Sequence, residues 1–331
     1  MEYRYIGKSG LRVSPICMGT MTFGSQCDEK EAFAIMDKAY DAGVNFFDTA
    51  ELYPVPPSKS LIGLTEEMVG RWLKTKPRES VILATKVAGA ASGWFVPPNR
   101  WGLTAIDRFH IEKAIEGSLR RLGTDYIDLY QMHWPDTIVP IEESMRAFDS
   151  LVQSGKVRYI GTSNDSAHGT MKALMVSKYE KLSRFQSIQN NFSLLNRRAL
   201  DEIGQLCKEE NISLLPYSPI GGGVLSGKYN QASEHNGRFS DYFHSANQRQ
   251  RLMAARFVND KTLASTQEYL KLAHDFNLDP VTMAVAWSKQ FEFVASTIIG
   301  ATHQKQLDAS LAAMELKLPL ELLNKLDGVH A

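Results

Sequence analysis

Apolar residues along this chain fall into two alternating patterns. Short runs are apolar at consecutive positions, and each is followed by a longer stretch in which apolar residues return every third or fourth position. The runs predict strands over Ile16–Thr20, Asn45–Thr49, Val81–Lys86, Ile127–His133, Tyr159–Asn164, Ser187–Asn190, Ser213–Ser218 and Ser296–Ala301. Consecutive apolar positions mark strands covered on both faces, as in a parallel sheet. The intervening stretches predict helices. Asp28 stands three residues before Glu31, a capping-box-like start, and Phe33, Met36 and Tyr40 form a stripe that ends before Gly43. Met68, Trp72 and Leu73 mark a second helix, and Ile111, Ile115, Leu119 and Leu122, closed by Gly123, mark a third. Met145, Phe148, Leu151 and Val152, closed by Gly155, mark a fourth, and Leu200, Ile203, Leu206 and Cys207 another. The last third is mostly helical, over Thr262–Phe276, Val281–Phe291 and Gln304–Met314.

This alternation of strands and helices predicts an α/β fold, a closed (β/α)8 TIM barrel with extra C-terminal helices. An open doubly wound sheet shares the alternation, but no glycine-rich fingerprint follows the first strand. The opening segment Tyr3–Ser14 alternates around Gly7–Gly10 and predicts a β-hairpin ahead of the barrel, plugging its lower end. No composition shift or low-complexity tract divides the chain, so residues 1–331 read as one domain. Two connections exceed plain turns. Ala88–Arg108 carries Trp94, Phe95, Pro97, Pro98 and Trp101, and Lys228–Gln250 is polar, with Arg238, Arg249 and no clear period. In a barrel, loops leaving strand C-termini surround the active site.

Composition narrows the classes. With 37 basic and 37 acidic residues the formal net charge is zero, which removes the general attraction that non-specific nucleic-acid binders use. No run of about 18 apolar residues is present to span a bilayer, and Met1–Tyr5 has no apolar stretch behind its charges. Cys17, Cys27 and Cys207 form no CxxC pair and read as structural thiols in a reducing compartment. The expectation is a cytoplasmic protein without nucleic-acid or membrane partners. Its oligomeric state is left open, since a barrel can form a homo-oligomer through its outer helices.

Chemically capable side chains gather where strands end. Asp48, Lys86 and His133 close the second, third and fourth strands, and Tyr53 lies five residues past Asp48. A barrel brings these four to one mouth, where they make a proton-donating site. A free tyrosine has a pKa of about 10, too high for acid catalysis near neutrality. A nearby ammonium is expected to lower it, a carboxylate to hold the ammonium, and a histidine to hydrogen-bond a substrate carbonyl. Taken singly, each residue has a plain structural explanation: a turn cap, a snorkelling lysine, a loop aromatic, a buried histidine. Gly221–Gly227 looks like a phosphate cradle but is neither GxGxxG nor a Walker loop, since Ser226 takes the last required glycine. No metal site is expected: His110, His133 and His168 lack ligand spacing, and Asp48 with Glu51 is only a loop pair.

The stretches Phe47-Asp48-Thr49-Ala50-Glu51-Leu52-Tyr53, Ala84-Thr85-Lys86 and Asp128-Leu129-Tyr130-Gln131-Met132-His133-Trp134 resemble the signature set of the aldo-keto reductase family. Gly155–Asn164, Gln189-Asn190, Pro216-Tyr217-Ser218-Pro219, Gly227-Lys228-Tyr229 and Ile299-Gly300-Ala301-Thr302 follow in the family's order, nearly to the end of the chain. Tyr53-Pro54-Val55-Pro56-Pro57 is most similar to the bacterial Tas-type branch, related to potassium-channel β subunits. The resemblance implies a (β/α)8 barrel that binds NADPH/NADP without a Rossmann domain. It implies that Tyr53 donates the proton, Lys86 and Asp48 tune it, and His133 orients the carbonyl. Ser163, Asn164 and Gln189 would hold the nicotinamide carboxamide, with Tyr217 stacked on the ring. Ser218, Leu225, Gly227 and Lys228 would line the pyrophosphate path, Arg238 would take a 2′-phosphate, and Gly300, Thr302 and Gln306 would approach the adenosine. Gly19, Thr20 and Met21 would flank the cofactor with Asp48. Met21, Tyr53, Trp94 and Trp134 would line the substrate pocket.

Two positions depart from the family pattern. Pro54 stands where many members have glycine, and Ala309 and Ser310 where relatives often place Glu-Asn. The implied activity is NADPH-dependent reduction of a small-molecule aldehyde or ketone. The alternative is an NADPH-binding regulatory module with slow or incidental turnover. A barrel isomerase or lyase using Lys86 as a Schiff base remains compatible with the fold.

Overall fold

The computed structural model describes residues 2–90, 104–230 and 237–330. Strand formation follows the apolar runs. After β1 (Arg4–Tyr5) and β2 (Arg12–Val13), eight strands form: β3 (Ile16–Gly19), β4 (Phe46–Asp48), β5 (Ile82–Val87), β6 (Ile127–Met132), β7 (Val157–Ser163), β8 (Phe185–Gln189), β9 (Ser213–Leu214) and β10 (Thr297–Ile299). They lie in the order β10-β3-β4-β5-β6-β7-β8-β9, each parallel to its neighbour. The two edges meet through parallel bridges, Leu214 with Val294 and Tyr217 with Ile298, the Ile298 N–H donating to Pro216 O at 2.7 Å. The architecture is a (β/α)8 barrel. β9 is much shorter than the predicted Ser213–Ser218. Pro216 has no N–H to give the ladder, and Ser218 turns out of the strand at φ 55°.

Twelve helices are described: α1 (Glu29–Asp41), α2 (Leu64–Leu73), α3 (Arg108–Leu122), α4 (Ile141–Gln153), α5 (Ala167–Glu180), α6 (Glu202–Glu210), α7 (Arg238–Phe243), α8 (Gln248–Phe257), α9 (Asp260–Asp275), α10 (Pro280–Lys289), α11 (Leu307–Ala312) and α12 (Leu320–His330). Asp28 caps α1 by accepting from the Glu31 N–H, and Gly123 ends α3 in the left-handed conformation. The buried face of α1 is Ala32, Ile35, Met36 and Ala39, turned from the predicted stripe, whose Phe33 and Tyr40 are only partly buried. Leu200 falls outside α6, in an exposed turn. The polar connection Lys228–Gln250 contains α7 and the start of α8, anchored by Phe239, Tyr242 and Ala254 in a small cluster of their own.

The hairpin of β1 and β2 closes the end of the barrel where the strands begin. Ile6, Leu11 and Val13 pack on the interior residues Cys17, Phe46, Ala84, Leu129 and Leu215. The Gly7 N–H donates to Ser213 Oγ at 2.9 Å, and the Lys8 N–H to Gln186 Oε1 at 2.9 Å. The side chains at the strands' C-terminal ends lie at the opposite end of the barrel, where barrel enzymes place their chemistry.

Candidate active site

Strand register brings the inward residues together. Asp48 pairs with Ala84, so Lys86, two residues on, leans to the same face, and Lys86 pairs in turn with Gln131. Lys86 Nζ donates to Asp48 Oδ1 and, at 2.8 Å, to Thr49 O. The other carboxylate oxygen accepts from Gln131 Nε2 at 3.1 Å and Gln189 Nε2 at 3.0 Å. Gly161 makes room for this row, since a Cβ there would sit 2.4 Å from Ser187 Oγ and 3.4 Å from Gln131 Cγ. Lys86 is fully buried and Asp48 nearly so, yet every Asp48 oxygen has a donor. That satisfaction is what lets an ion pair exist at such depth.

Tyr53 hangs over this pair on the loop leaving β4. Its N–H donates to Ala50 O at 3.1 Å, and its carbonyl accepts from the Gly63 N–H at 3.1 Å. The Lys86 ammonium lies 5.1 Å from its ring centroid, and the His133 ring 5.7 Å away, edge-on. The expected lowering of the Tyr53 pKa does not hold in the fold. Burial pushes the phenol above its ordinary value, and Lys86 pulls it only part of the way back. Burial also opposes the charge on Lys86, but Asp48 and Tyr53 together outweigh it and the ammonium is held above its usual range. His133 is driven well below the ordinary imidazole value, by burial and then by the Lys86 charge, and its Nδ1 is buried without a partner among the described residues. The site therefore presents a protonated phenol, a fixed cation and a neutral imidazole.

Beside it, Ser163 Oγ donates to Gln189 O at 2.8 Å, and Asn164, left-handed at φ 53°, donates to His133 O at 2.9 Å. Tyr217 OH donates to Asn164 Oδ1 at 2.7 Å, tying the end of β9 to the end of β7. Ser163, Asn164, Gln189 and Tyr217 thus form one connected rim. Gln189 has its amide N–H groups committed to Asp48 and, at 3.2 Å, to Gln131 Oε1.

Further round, Ser218, Leu225 and Gly227 belong to the turn that follows β9. Gly221, Gly222, Gly223 and Gly227 all have positive φ, which only glycine adopts without strain. Lys228 and Arg238 face each other across this turn. Cβ atoms at Gly223 and Gly237 would sit 3.0 and 2.6 Å from Lys228 Nζ. Desolvation, then the Arg238 charge, lowers the Lys228 pKa, and desolvation lowers that of Arg238. Neither forms an ion pair with a described residue, and Arg238 Nε is buried without a partner among the described residues. Two half-buried cations with no carboxylate paired to them among the described residues fit a phosphate-bearing group.

The remaining expected contact residues have these surroundings in the fold. Gly19 is a glycine because a Cβ would meet Ile298 Cγ2 at 2.7 Å and Ile299 O at 2.9 Å on the neighbouring strand. Thr20 is fully buried and donates both its N–H and its hydroxyl to Asp48 O, so it braces the strand end. Gln306 Oε1 accepts from the Thr302 N–H at 2.9 Å, and Gly300 stands in open space. Met21 and Trp134 pack with Tyr53, Leu52, Val55 and Ala88 in one apolar cluster at the mouth. Trp94 lies outside the described residues.

The sequence reading passed over Gln131, which shares the Asp48 carboxylate, and the buried cluster of Glu51, Glu66 and Arg121 beneath the Tyr53 loop. Residue spacing carried a signal for the first, since Gln131 sits two before His133 on the same strand. Residues 15–331 match the aldo/keto reductase family. "Protein tas" of Escherichia coli is 36% identical across 100% of this chain and 98% of its own length. "Uncharacterized oxidoreductase YrpG" of Bacillus subtilis is 35% identical, covering 99% and 96% respectively. "Probable voltage-gated potassium channel subunit beta" of Oryza sativa is 33% identical over 99% and 96%. The chain belongs to the aldo/keto reductase family.

Proposed function

We propose that the protein is an NADPH-dependent reductase of aldehydes or ketones. A reduced nicotinamide, when bound, supplies the hydride. Tyr53 gives the proton to the substrate oxygen from its hydroxyl, which burial keeps protonated at neutral pH. Lys86, fixed by Asp48 and Thr49 O, stabilises the phenolate that remains. His133, neutral, orients the carbonyl. Ser163, Asn164, Gln189 and Tyr217 are suited to the nicotinamide end, and the glycine turn with Lys228 and Arg238 to phosphates. Met21 and Trp134 make the mouth apolar and exclude water, which suits apolar or aromatic carbonyls.

The observation that carries this reading is the buried Asp48–Lys86 pair beneath Tyr53, a costly arrangement that a merely structural barrel has no use for. NADPH oxidation with 4-nitrobenzaldehyde, methylglyoxal and 9,10-phenanthrenequinone tests it, and turnover of at least one is expected. A second reading, a cofactor-binding regulatory subunit, is supported by the full-length similarity to the Oryza protein. Tight NADPH binding with no turnover of any carbonyl would favour it. The chain's place in a reducing cytoplasm is part of the same proposal.

A further inference from the structure

Glu51 lies two residues before Tyr53, and its carboxyl faces away from the barrel interior. It is 3% exposed. The Ala88 backbone N–H, just past β5, hydrogen-bonds its carboxyl. Glu66 of α2 and Arg121 of α3 act through their charges, and Tyr130 of β6 shares the same cluster. Thr85 and Tyr130 point to this helix side because they alternate with Lys86 and Gln131, which point inward. On the same loop, Asp48 has turned to the interior and its partner is Lys86.

The cluster holds two carboxyls and one guanidinium. Arg121 Nε donates to Glu66 Oε2 at 2.7 Å, and Thr85 Oγ1 donates to Glu66 Oε1 at 2.6 Å. Glu66 is fully buried and fully partnered, whereas Glu51 Oε2 and the Tyr130 hydroxyl are buried without partners among the described residues. The guanidinium is held in a slot that two glycines leave open. A Cβ at Gly63 would meet Arg121 Cδ at 2.6 Å, and one at Gly117 would meet Nη1 at 2.8 Å. Gly63 is also the residue whose N–H holds the Tyr53 carbonyl. The cluster and the phenol are therefore joined twice, through the Glu51–Tyr53 loop and through Gly63.

With Arg121 committed to Glu66, a charged Glu51 would be a second buried carboxylate with no cation of its own. Burial, relieved in part by Arg121 and by the Ala88 N–H and worsened by Glu66, pushes its pKa up to about 8. We propose that Glu51 is a positioning residue for Tyr53: as the neutral acid it seats the Tyr53 loop on the Glu66–Arg121 pair, and its ionisation in alkaline solution unseats that loop and the proton donor with it. This rests on the reading of Tyr53 as proton donor. Above the transition the charged carboxyl seeks water, and the loop is the movable part, since Glu66 and Arg121 sit on packed helices.

The test combines infrared spectra with pH profiles of wild type, Glu51→Gln and Glu66→Gln. The wild-type spectrum at pH 7, minus that of Glu51→Gln, should show a protonated-carboxyl band that disappears near pH 8. Wild-type kcat should fall about tenfold per pH unit above the transition, with NADPH affinity unchanged. Glu51→Gln, which mimics the neutral acid, should keep its neutral-pH turnover and move the alkaline limb up by at least one unit. Glu66→Gln frees Arg121 for Glu51, so in that variant the band should vanish at lower pH. No protonated band in wild type overturns the proposal and leaves the Tyr53 reading standing. An alkaline limb shared unchanged by Glu51→Gln overturns it as well. A band with no turnover of any carbonyl at any pH overturns the Tyr53 reading, and the positioning role with it. Should Glu51→Gln fail to fold, an unchanged band in Glu66→Gln is the overturning result.

Discussion

Asp48, buried, and Arg238, half-buried, are charged side chains at the same end of the barrel, and their surroundings differ completely. Asp48 accepts from Lys86, Gln131 and Gln189, so its pocket is electrostatically finished. Arg238 has aromatic rings for neighbours, with Phe239 at 5.0 Å and Tyr242 at 5.9 Å from Cζ, and a second cation, Lys228, nearby. One region is organised before anything binds. The other holds two cations with no paired carboxylate among the described residues. An enzyme divided this way spends binding energy at the phosphate end and keeps the proton-transfer end rigid.

The comparison breaks most sharply at Lys86. Lys86→Met leaves Asp48 buried without its cation, so urea unfolding should show a loss of about 3–5 kcal/mol. Turnover should fall by roughly 10²–10⁴-fold as proton donation is lost. Gln131→Leu takes one of two amide donors from Asp48 Oδ2 and should cost about 1–3 kcal/mol in the same measurement. At the other region the sign changes. Arg238→Ala should leave the ligand-free protein as stable as wild type within about 0.5 kcal/mol, because no partner among the described residues is stranded. It should weaken 2′-phospho-ADP-ribose binding by calorimetry roughly ten- to hundredfold. Unaffected binding would remove Arg238 from the phosphate site. The smallest effect concerns His133. Its pKa is depressed, so the imidazole stays neutral through mild acid, and kcat/KM between pH 5.5 and 7.5 should show no inflection near the ordinary value of about 6.5.

Glu51 adds a stability test with a definite sign. Its pKa is raised from 4.5 to about 8 on folding, so the folded state holds a proton that the unfolded chain has lost. Wild-type stability relative to Glu51→Gln is greatest below the unfolded value and falls as pH rises toward the folded one. Thermal melts of both proteins across that window should show the gap shifting steadily in favour of Glu51→Gln, then levelling.

Much of the barrel was legible because its strands are apolar at consecutive positions, a pattern that local residues alone produce. Every predicted strand forms, with ends moved by one to a few residues where Pro216 or a turn intervenes. Helix α5 was not readable, since its buried positions are Thr170, Ala173, Leu174 and Ser177, and two of the four are polar. Helices α7 and α8 escaped for a similar reason, their few apolar anchors packing on each other rather than on the main core. The four residues Asp48, Tyr53, Lys86 and His133 could be grouped from strand ends alone. Their electrostatics could not. A lysine beside a tyrosine suggests a lowered phenol pKa, but burial decides the direction here, and burial is a property of the folded whole. The partners of Thr20 and Gln306, Asp48 O and the Thr302 N–H, become neighbours only in the fold. The buried Glu51 cluster had no sequence signal, since an acidic residue in a loop ordinarily faces solvent.

The central claim is that Tyr53 supplies the proton at a site otherwise complete without its hydroxyl. The direct measurement is Tyr53→Phe, assayed for NADPH affinity by calorimetry and for single-turnover reduction of 4-nitrobenzaldehyde. The ring and the Asp48–Lys86 pair remain in this variant, so affinity should match wild type within about twofold while the rate falls by roughly 10²–10⁴-fold. A variant that reduces the aldehyde at the wild-type rate would contradict the account.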